Sequence, residues 1–242
     1  MHAKSAKMTI IAIETSTSVC SAALSVDGNT VASRVNCEDG NHARLLPVFI
    51  HDLLEELCER SLTLDAVALS EGPGSYTGLR IGTSLAKGLC YGLSVPLIPV
   101  KTTEVLCASL AEKVNLQEGD YLLPMIDARR MEVYTALYQL ENNTFIPRSD
   151  VTACVIDSEN AVPFGDGKNY FFGDGAAKCK DLLSERAGFI GDIYPDASAM
   201  GALALRYLQK NNIRHTTTDI AYYEPFYLKE FVAAHSHVKG LS

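Results

Sequence analysis

The feature that most constrains this chain is an order of elements that occurs twice. An apolar strand ends on an acidic residue at Ile11–Glu14, and a polar turn, a second strand and a closing turn follow. The segment Pro124–Asp127 starts the same order again at an offset of 113 residues (Glu14 against Asp127), which aligns the turn 27–30 with 140–143. Few aligned residues are identical, so chance is the competing explanation, but the matching order favours duplication. We therefore predict two lobes, 8–115 and 116–231, with terminal extensions at 1–7 and 232–242.

Each half continues with strands that alternate with helices. Such alternation after an initial hairpin favours mixed sheets covered by helices. A duplicated lobe of this kind, with acidic residues at corresponding strand ends, is the plan of the actin-like ATPase (ASKHA) superfamily. We therefore expect an α/β, two-lobed actin-like fold. This likeness concerns the fold and does not establish a function.

Composition limits the class of protein. The 242 residues are 47% hydrophobic and carry 29 acidic and 21 basic side chains, a formal charge of −8. This apolar content excludes disorder, and no run approaches the roughly 20 apolar residues of a membrane span. Binding nucleic acid alone would need clustered Lys and Arg, so any such role needs a basic partner. Seven cysteines without a C-x-x-C pair, and a polar start without a secretion signal, favour a cytoplasmic protein.

The glycine-rich loop Ser70–Gly82 leaves a predicted strand and enters a helix. Backbone N–H groups at such a turn can hold a phosphate, although the Lys-Ser/Thr pair of a Walker A motif is missing. The alternative is structural: Gly72 and Gly74 shape the turn, while Ser75 or Thr77 caps the helix. The loop, both acidic strand ends and a later Gly-Asp-Gly together form a candidate vestigial nucleotide site: Glu14, Thr15, Ser16, Gly72, Gly74, Ser75, Asp127, Gly173 and Gly175. Nearby, Arg129 and Arg130 either pair with an anion or line a solvated turn.

Two predicted helices, 41–59 and 77–91, have unusual faces. Small residues recur every four positions on the second helix, which lets another helix approach closely. Apolar side chains cover about half of the first helix, more than the ~100° stripe of a one-sided surface helix. Burial within the chain and contact with a partner explain the wide apolar face of the first helix equally well. The candidate interface residues are Leu46, Phe49, Ile50, Leu53, Gly78, Gly82, Ala86 and Cys90.

Catalytic patterns are missing from the sequence. None of the six histidines forms the i, i+4 pair of a zinc hydrolase helix, and no serine lies in a Gly-x-Ser-x-Gly elbow. We therefore predict no catalytic residue and no metal site.

Several runs of the sequence resemble the bacterial TsaB (YeaZ) family: ALSEGPGSYTGLRIGTSLAKGL (68–89), IETS (13–16), NHARLLP (41–47), PMIDARRMEVYTALY (124–138), GDGA (173–176) and PFYLK (225–229). The resemblance spans about residues 8–230 and implies a two-lobed actin-like fold. It also implies a role in making threonylcarbamoyladenosine beside the anticodon of tRNAs that read ANN codons. The chain would be a non-catalytic adaptor that binds and activates the paralogue TsaD, with the ATPase TsaE, through helices 41–59 and 77–91.

The paralogue TsaD opens a helix with a metal-binding His-x-x-x-His. Aligned on the shared Glu104, those two positions hold Thr102 and Leu106 here. The missing imidazoles favour the adaptor over an older family label, glycoprotease. The alternative is an ATP-binding enzyme or metallopeptidase of the actin-like superfamily. For the adaptor, we expect no cofactor, a nucleotide contact only within the complex, a homodimer in isolation, indirect contact with tRNA and no membrane contact.

Overall fold

The computed structural model describes residues 7–38, 40–158, 161–211 and 220–229. Apart from Lys7, the predicted extensions at 1–7 and 232–242 lie outside the described residues. The helices are α1 (His42–Glu59), α2 (Tyr76–Leu93), α3 (Thr102–Ala111), α4 (Lys180–Leu183) and α5 (Met200–Asn211). The strands are β1 (Thr9–Glu14), β2 (Cys20–Val26), β3 (Asn29–Asn36), β4 (Ala66–Gly72), β5 (Leu97–Lys101), β6 (Tyr121–Asp127), β7 (Glu132–Thr135), β8 (Tyr138–Glu141), β9 (Thr144–Pro147), β10 (Thr152–Val155), β11 (Asn169–Phe172) and β12 (Gly188–Ile190). In the described ranges, no helix is long and apolar enough to cross a membrane.

The first sheet has the strand order β3-β2-β1-β4-β5. Every residue of β1 is buried, as expected of a central strand that is covered on both faces. β2 pairs with β1 in antiparallel orientation, with Ile13 opposite Ala22, and β4 pairs with β1 in parallel. The turn Asp27-Gly28, with both residues at positive φ, closes the hairpin between β2 and β3. This is the hairpin-first mixed sheet that the sequence predicts.

The second sheet repeats this plan in the order β10-β7-β6-β11-β12, with β8 paired to β6 and β9. β6 is antiparallel to β7 and parallel to β11, as β1 is to β2 and β4. Met125 pairs with Thr135 and Leu122 pairs with Tyr138. β7 and β8 therefore pair with successive parts of β6 in the same register. The duplicated mixed-sheet α/β fold is therefore confirmed.

One detail of the predicted repeat is wrong. The hairpin turn of the second lobe is Asn142-Asn143, again with both residues at positive φ. The sequence alignment of 27–30 with 140–143 places the equivalent of the turn Asp27-Gly28 at residues 140–141, two residues before the observed turn. The shift arises because β8 runs on to Glu141 before the chain turns.

Helices cover both faces of the first sheet. Ile11 and Ile13 of β1 belong to the buried cluster with α1 and α2, whereas Ile10 belongs to the cluster with Met200 and Leu203 of α5. Successive residues of a strand point to opposite faces, so α5 packs on the face opposite α1 and α2. A helix from the second half of the chain therefore completes the core of the first sheet, and the lobe boundary at 115/116 stays a prediction. The seven cysteines are free thiols, and four of them are buried.

Candidate functional site

A cleft of about 1050 Å³ lies between the two sheets, beyond the carboxyl ends of β1 and β6. In open α/β sheets this is the usual side for a ligand. The walls come from the turn after β1, the glycine-rich loop, the start of α1, the turn after β6 and residues 226–229. Both predicted acidic strand ends therefore point toward one region of the molecule.

The first wall rests on a buried carboxylate. Glu14 is fully buried at the end of β1, and its Oε1 accepts a 2.6 Å hydrogen bond from the backbone N–H of Ser16. Burial raises the pKa of Glu14 above its ordinary value, and hydrogen bonding to Ser16 opposes that rise. Three buried oxygens, Glu14 Oε2, Thr15 Oγ1 and Ser16 Oγ, make no hydrogen bond of normal length and angle among the described residues. Of these three residues, only Ser16 lines the cleft.

The glycine-rich loop packs against this same wall. Ser75 donates its backbone N–H to the Ser16 carbonyl oxygen at 2.6 Å. A Cβ on Gly74 would lie 2.3 Å from that oxygen, and a Cβ on Gly78 would lie 2.0 Å from the Thr15 carbonyl oxygen. Ser75 also caps α2 by accepting the Gly78 N–H at 3.2 Å, which confirms its predicted capping role. Gly74 and Gly78 therefore allow the loop to pack closely on the turn after β1.

The second wall is formed by the turn after β6. Asp174 accepts the backbone N–H of Asp127 at 3.1 Å, and Lys178 forms an ion pair with the Asp127 carboxylate. A Cβ on Gly173 would lie 2.3 Å from a backbone carbonyl oxygen of β6, and a Cβ on Gly175 would lie 2.9 Å from a backbone carbon of the same strand. The Gly-Asp-Gly segment is therefore packed directly on β6.

The structure divides the nine predicted nucleotide-site residues into two groups. Four line the cleft: Ser16, Gly74, Ser75 and Asp127. The other five support the walls without lining the cleft: Glu14, Thr15, Gly72, Gly173 and Gly175. Sequence reasoning missed residues 226–229 as cleft residues, although the run PFYLK (225–229) contains all four of them.

Arg129 and Arg130 differ from the other arginines that the structure describes. Both are exposed, line the cleft and have positive φ values of 70° and 50°, a region that a Cβ disfavours. Within the described ranges, neither guanidinium has a hydrogen bond, ion pair or ring contact, whereas every other described arginine has one. The neighbouring carboxylates of Asp127 and Glu132 are paired with Lys178 and with a lysine from residues 226–229. The two arginines are therefore available to an anion from outside the chain.

The residues predicted for a partner interface lie inside the first lobe. Leu46, Leu53 and Ala86 are fully buried, and Ile50 and Cys90 are 3% and 1% exposed. All five belong to one buried cluster, and Phe49 is partly buried against it. The five fully or nearly fully buried side chains are therefore unavailable to a partner of the folded chain. The wide apolar face of α1 is explained by burial, one of the two alternatives that the sequence leaves open.

The small-residue stripe of α2 has the same explanation. Gly78 and Gly82 face the turn after β1, and a Cβ on Gly82 would lie 2.3 Å from the Thr15 Oγ1. An interface on these helices needs other side chains, on their exposed faces. There Val48 is 51% exposed and Tyr91 is 86% exposed.

The positions of the paralogue's histidines are also internal. Thr102 and Leu106 are both fully buried, and the Thr102 hydroxyl lies 2.7 Å from the Ser70 hydroxyl. In the parts of the chain that the structure describes, no three His, Cys, Asp or Glu side chains are placed to share a metal ion.

Sequence and structure comparisons identify relatives of this chain. The family described as "TsaD: tRNA N6-adenosine threonylcarbamoyltransferase" matches residues 37–236. The Bacillus subtilis "tRNA threonylcarbamoyladenosine biosynthesis protein TsaB" is 33% identical over 192 residues, 76% of this chain and 80% of the relative. The Escherichia coli protein of the same name is 32% identical over 232 residues, 93% of this chain and 96% of the relative.

A solved structure gives the same result. "YeaZ from Pseudomonas aeruginosa" is 27% identical and superposes with a TM-score of 0.75, covering 91% of this chain and 100% of that chain. These matches confirm the resemblance that the motifs indicate, and the chain belongs to the TsaB (YeaZ) family.

Proposed function

We propose that this chain is a non-catalytic adaptor that binds and activates a TsaD-type transferase, with the ATPase TsaE, in tRNA threonylcarbamoyladenosine biosynthesis. Membership of the TsaB family supports the pathway, since its Bacillus and Escherichia members are named for it. The match to the TsaD family supports common ancestry with the proposed partner. In this proposal the chain acts in the cytoplasm, and the modified adenosine lies beside the anticodon of tRNAs that read ANN codons. The tRNA contacts the partners, because a charge of −8 repels a polyanion.

The observation that carries the proposal is how the glycine-rich loop uses its amides. An ATPase would aim such amides at a phosphate. Here the Ser75 N–H is bound to the Ser16 carbonyl, and the Gly78 N–H is bound to the Ser75 hydroxyl. These two amides are therefore bonded within the chain itself. This arrangement favours a subunit that acts through protein contacts.

The proposed partner surface is the exposed side of α1 together with the carboxyl-terminal end of α2. It includes Val48, Tyr91 and Leu93, which are 51%, 86% and 47% exposed. Exposed aromatic side chains of this kind frequently anchor protein interfaces. We propose that the same surface pairs two copies of this chain when the partner is absent.

Calorimetry with the cognate TsaD tests this surface. We expect Val48→Asp and Tyr91→Asp each to weaken binding about tenfold or more, because a buried interface disfavours an unpaired carboxylate. The matched control is Val155→Asp, a valine of the second lobe that is 59% exposed, which should bind as the wild type does. A tRNA modification assay should rank the variants in the same order. Equal binding by all three variants, or full modification without this chain, would refute the proposal.

A nucleotide contact within the complex is a separate part of the proposal. Arg129 and Arg130 suit the phosphates of a nucleotide, since guanidinium groups bind phosphate in a bidentate manner. We expect ATP and ADP to bind the complex more tightly than the isolated chain. Arg129→Gln and Arg130→Gln should weaken that binding, whereas the control Arg148→Gln should not, because Arg148 is paired with Glu141. Equal nucleotide affinity in all of these variants would contradict this part.

An enzyme of the actin-like superfamily is the alternative, and the partly unpartnered Glu14 carboxylate is the observation that favours it. ATP hydrolysis by the purified chain, lost in Glu14→Gln, would support the enzyme. Hydrolysis that requires added TsaD and TsaE would support the adaptor.

A further inference from the structure

The segment Ile220–Lys229 has no regular secondary structure, yet it is attached to the first lobe along α2. The Lys87 ammonium donates hydrogen bonds to the carbonyl oxygens of Ala221 and Tyr223, at 3.0 and 3.1 Å. Ile220 and Tyr223 also pack on the buried cluster of α1, α2 and the first sheet. This end of the segment is therefore fixed to the first lobe.

The middle of the segment crosses the glycine-rich loop at close range. The Phe226 N–H donates to the Glu71 carbonyl oxygen at 2.7 Å. A Cβ on Gly72 would lie 2.6 Å from the Phe226 carbonyl oxygen, and Gly72 has a φ of +114°, which confirms its predicted role in the turn. Beyond this crossing, the Tyr227 ring lies 5.0 Å from the ring of Tyr76 at the start of α2. The crossing fixes the segment at the edge of the cleft.

The far end of the segment is attached to the second lobe. Leu228 packs on the buried cluster that includes Ile126 of β6. The Lys229 ammonium forms an ion pair with Glu132 of β7 and lies 5.9 Å from the centre of the Tyr134 ring. Between these attachments, residues 226–229 line one side of the cleft. Ten residues are therefore anchored on both lobes.

We infer that residues 220–229 form a strap that holds the two lobes at a set separation and thereby fixes the width of the cleft. Movement of one lobe away from the other must break contacts at one end of the strap. The Lys229 and Glu132 side chains are 40% and 21% exposed, so solvent screens this ion pair. The attachment of Phe226 to Glu71 is a backbone hydrogen bond beside packed side chains. Leu228 adds a packed contact at the second-lobe end, so each end of the strap combines a polar bond with packing.

Hydrogen–deuterium exchange on the full chain tests the strap. Lys229→Gln removes the ion pair at the second lobe. Lys87→Gln replaces the ammonium that donates to two carbonyls with a shorter, uncharged amide, which weakens the hydrogen bonds at the first lobe. We expect each change to speed exchange about three- to tenfold in peptides covering 224–229 and the turn 127–132. The buried strand β1 should keep its rate. The decisive response is that of the turn 127–132 to Lys87→Gln, because Lys87 lies on the other lobe.

Arg148→Gln is the matched control. It removes an ion pair with Glu141 in which the side chains are 40% and 38% exposed, but both residues lie in the second lobe. Exchange at the turn 127–132 should then equal that of the wild type. All rates are compared with that of β1, so a general loss of stability cannot mimic the effect. The strap is refuted if Lys87→Gln leaves the turn 127–132 unchanged, or if Arg148→Gln accelerates it equally.

Discussion

The glycines of α2 allow a sharp test, because some are packed and others are open. A methyl group on Gly78 would place Cβ 2.0 Å from the Thr15 carbonyl oxygen, and a methyl on Gly82 would place it 2.3 Å from the Thr15 Oγ1. On Gly88 and Gly92, the same methyl meets nothing within 4 Å. Four Gly→Ala changes in one helix therefore share the same chemistry and differ in the space around them.

The magnitudes follow from two opposing effects. In an exposed helix interior, alanine is about 1 kcal/mol more favourable than glycine. Gly88→Ala should therefore raise the free energy of unfolding by about that amount. At Gly78 the obstacle is a backbone atom, which cannot rotate away. Forced contacts of this kind cost about 1–3 kcal/mol, and occasionally more. Gly82 faces a side-chain hydroxyl that can rotate away, so Gly82→Ala should lower the free energy of unfolding by less than Gly78→Ala does.

Urea unfolding and thermal melting measure this series. For a chain of this length, 1 kcal/mol corresponds to about 2–4 °C in Tm. We expect Gly78→Ala to melt roughly 2–12 °C below the wild type and Gly88→Ala roughly 2–4 °C above it. The larger Gly82→Arg change should unfold the chain rather than block a partner on an intact fold. A Gly78→Ala variant as stable as Gly88→Ala would show that the stripe is not packed on Thr15, and would refute the reasoning.

Two further predictions concern buried polar groups. Because burial raises the pKa of Glu14, the folded chain holds this proton more strongly than the unfolded chain, and stability falls as pH rises from about 4.5 through the folded pKa. The unfolding free energy of Glu14→Gln relative to the wild type should therefore increase from pH 5 to pH 8 in urea titrations, and a constant difference would contradict this. Tyr138→Phe should cost about 1–3 kcal/mol, since it leaves the buried Thr103 hydroxyl, 2.8 Å from Tyr138 Oη, unpaired. Adding Thr103→Val should restore part of that loss, and two fully additive changes would count against the hydrogen bond.

Local sequence patterns were sufficient for the opening strand and hairpin and for the repeated order of elements. The apolar run at 8–14 and the turn Asp27-Gly28 predict a strand and a hairpin, because strand preference and turn geometry depend on adjacent residues. The repeated order of elements predicted the second sheet for the same reason. The two-residue error at Asn142-Asn143 arose because strand length is set by pairing with β6 and β9, which lie elsewhere in the chain.

Local patterns were insufficient for the surface of the first lobe. A helix face that packs inside the chain and one that packs on a partner are both apolar or small, so the sequence could not separate the two for α1 and α2. Tertiary structure decides, because the turn after β1 occupies the space above Gly78 and Gly82. The buried side chains Leu46, Leu53 and Ala86 therefore belong to the core, and the partner surface must be sought beside them.

The sequence by itself determined the duplicated α/β plan and, through its motifs, the TsaB family, but it left two roles open for the glycine-rich loop. Only the tertiary structure decided which charged side chains lack an ion-pair partner and which segment lines the edge of the cleft. Asp127 and Glu132 flank Arg129 and Arg130 in sequence, which suggests a neutral turn. In the fold, Lys178 and Lys229 reach those carboxylates from distant positions and leave the two arginines without an ion-pair partner among the described residues. The strap is likewise a tertiary feature, because its anchors lie on elements 90 or more residues away, such as Lys87 and Glu132.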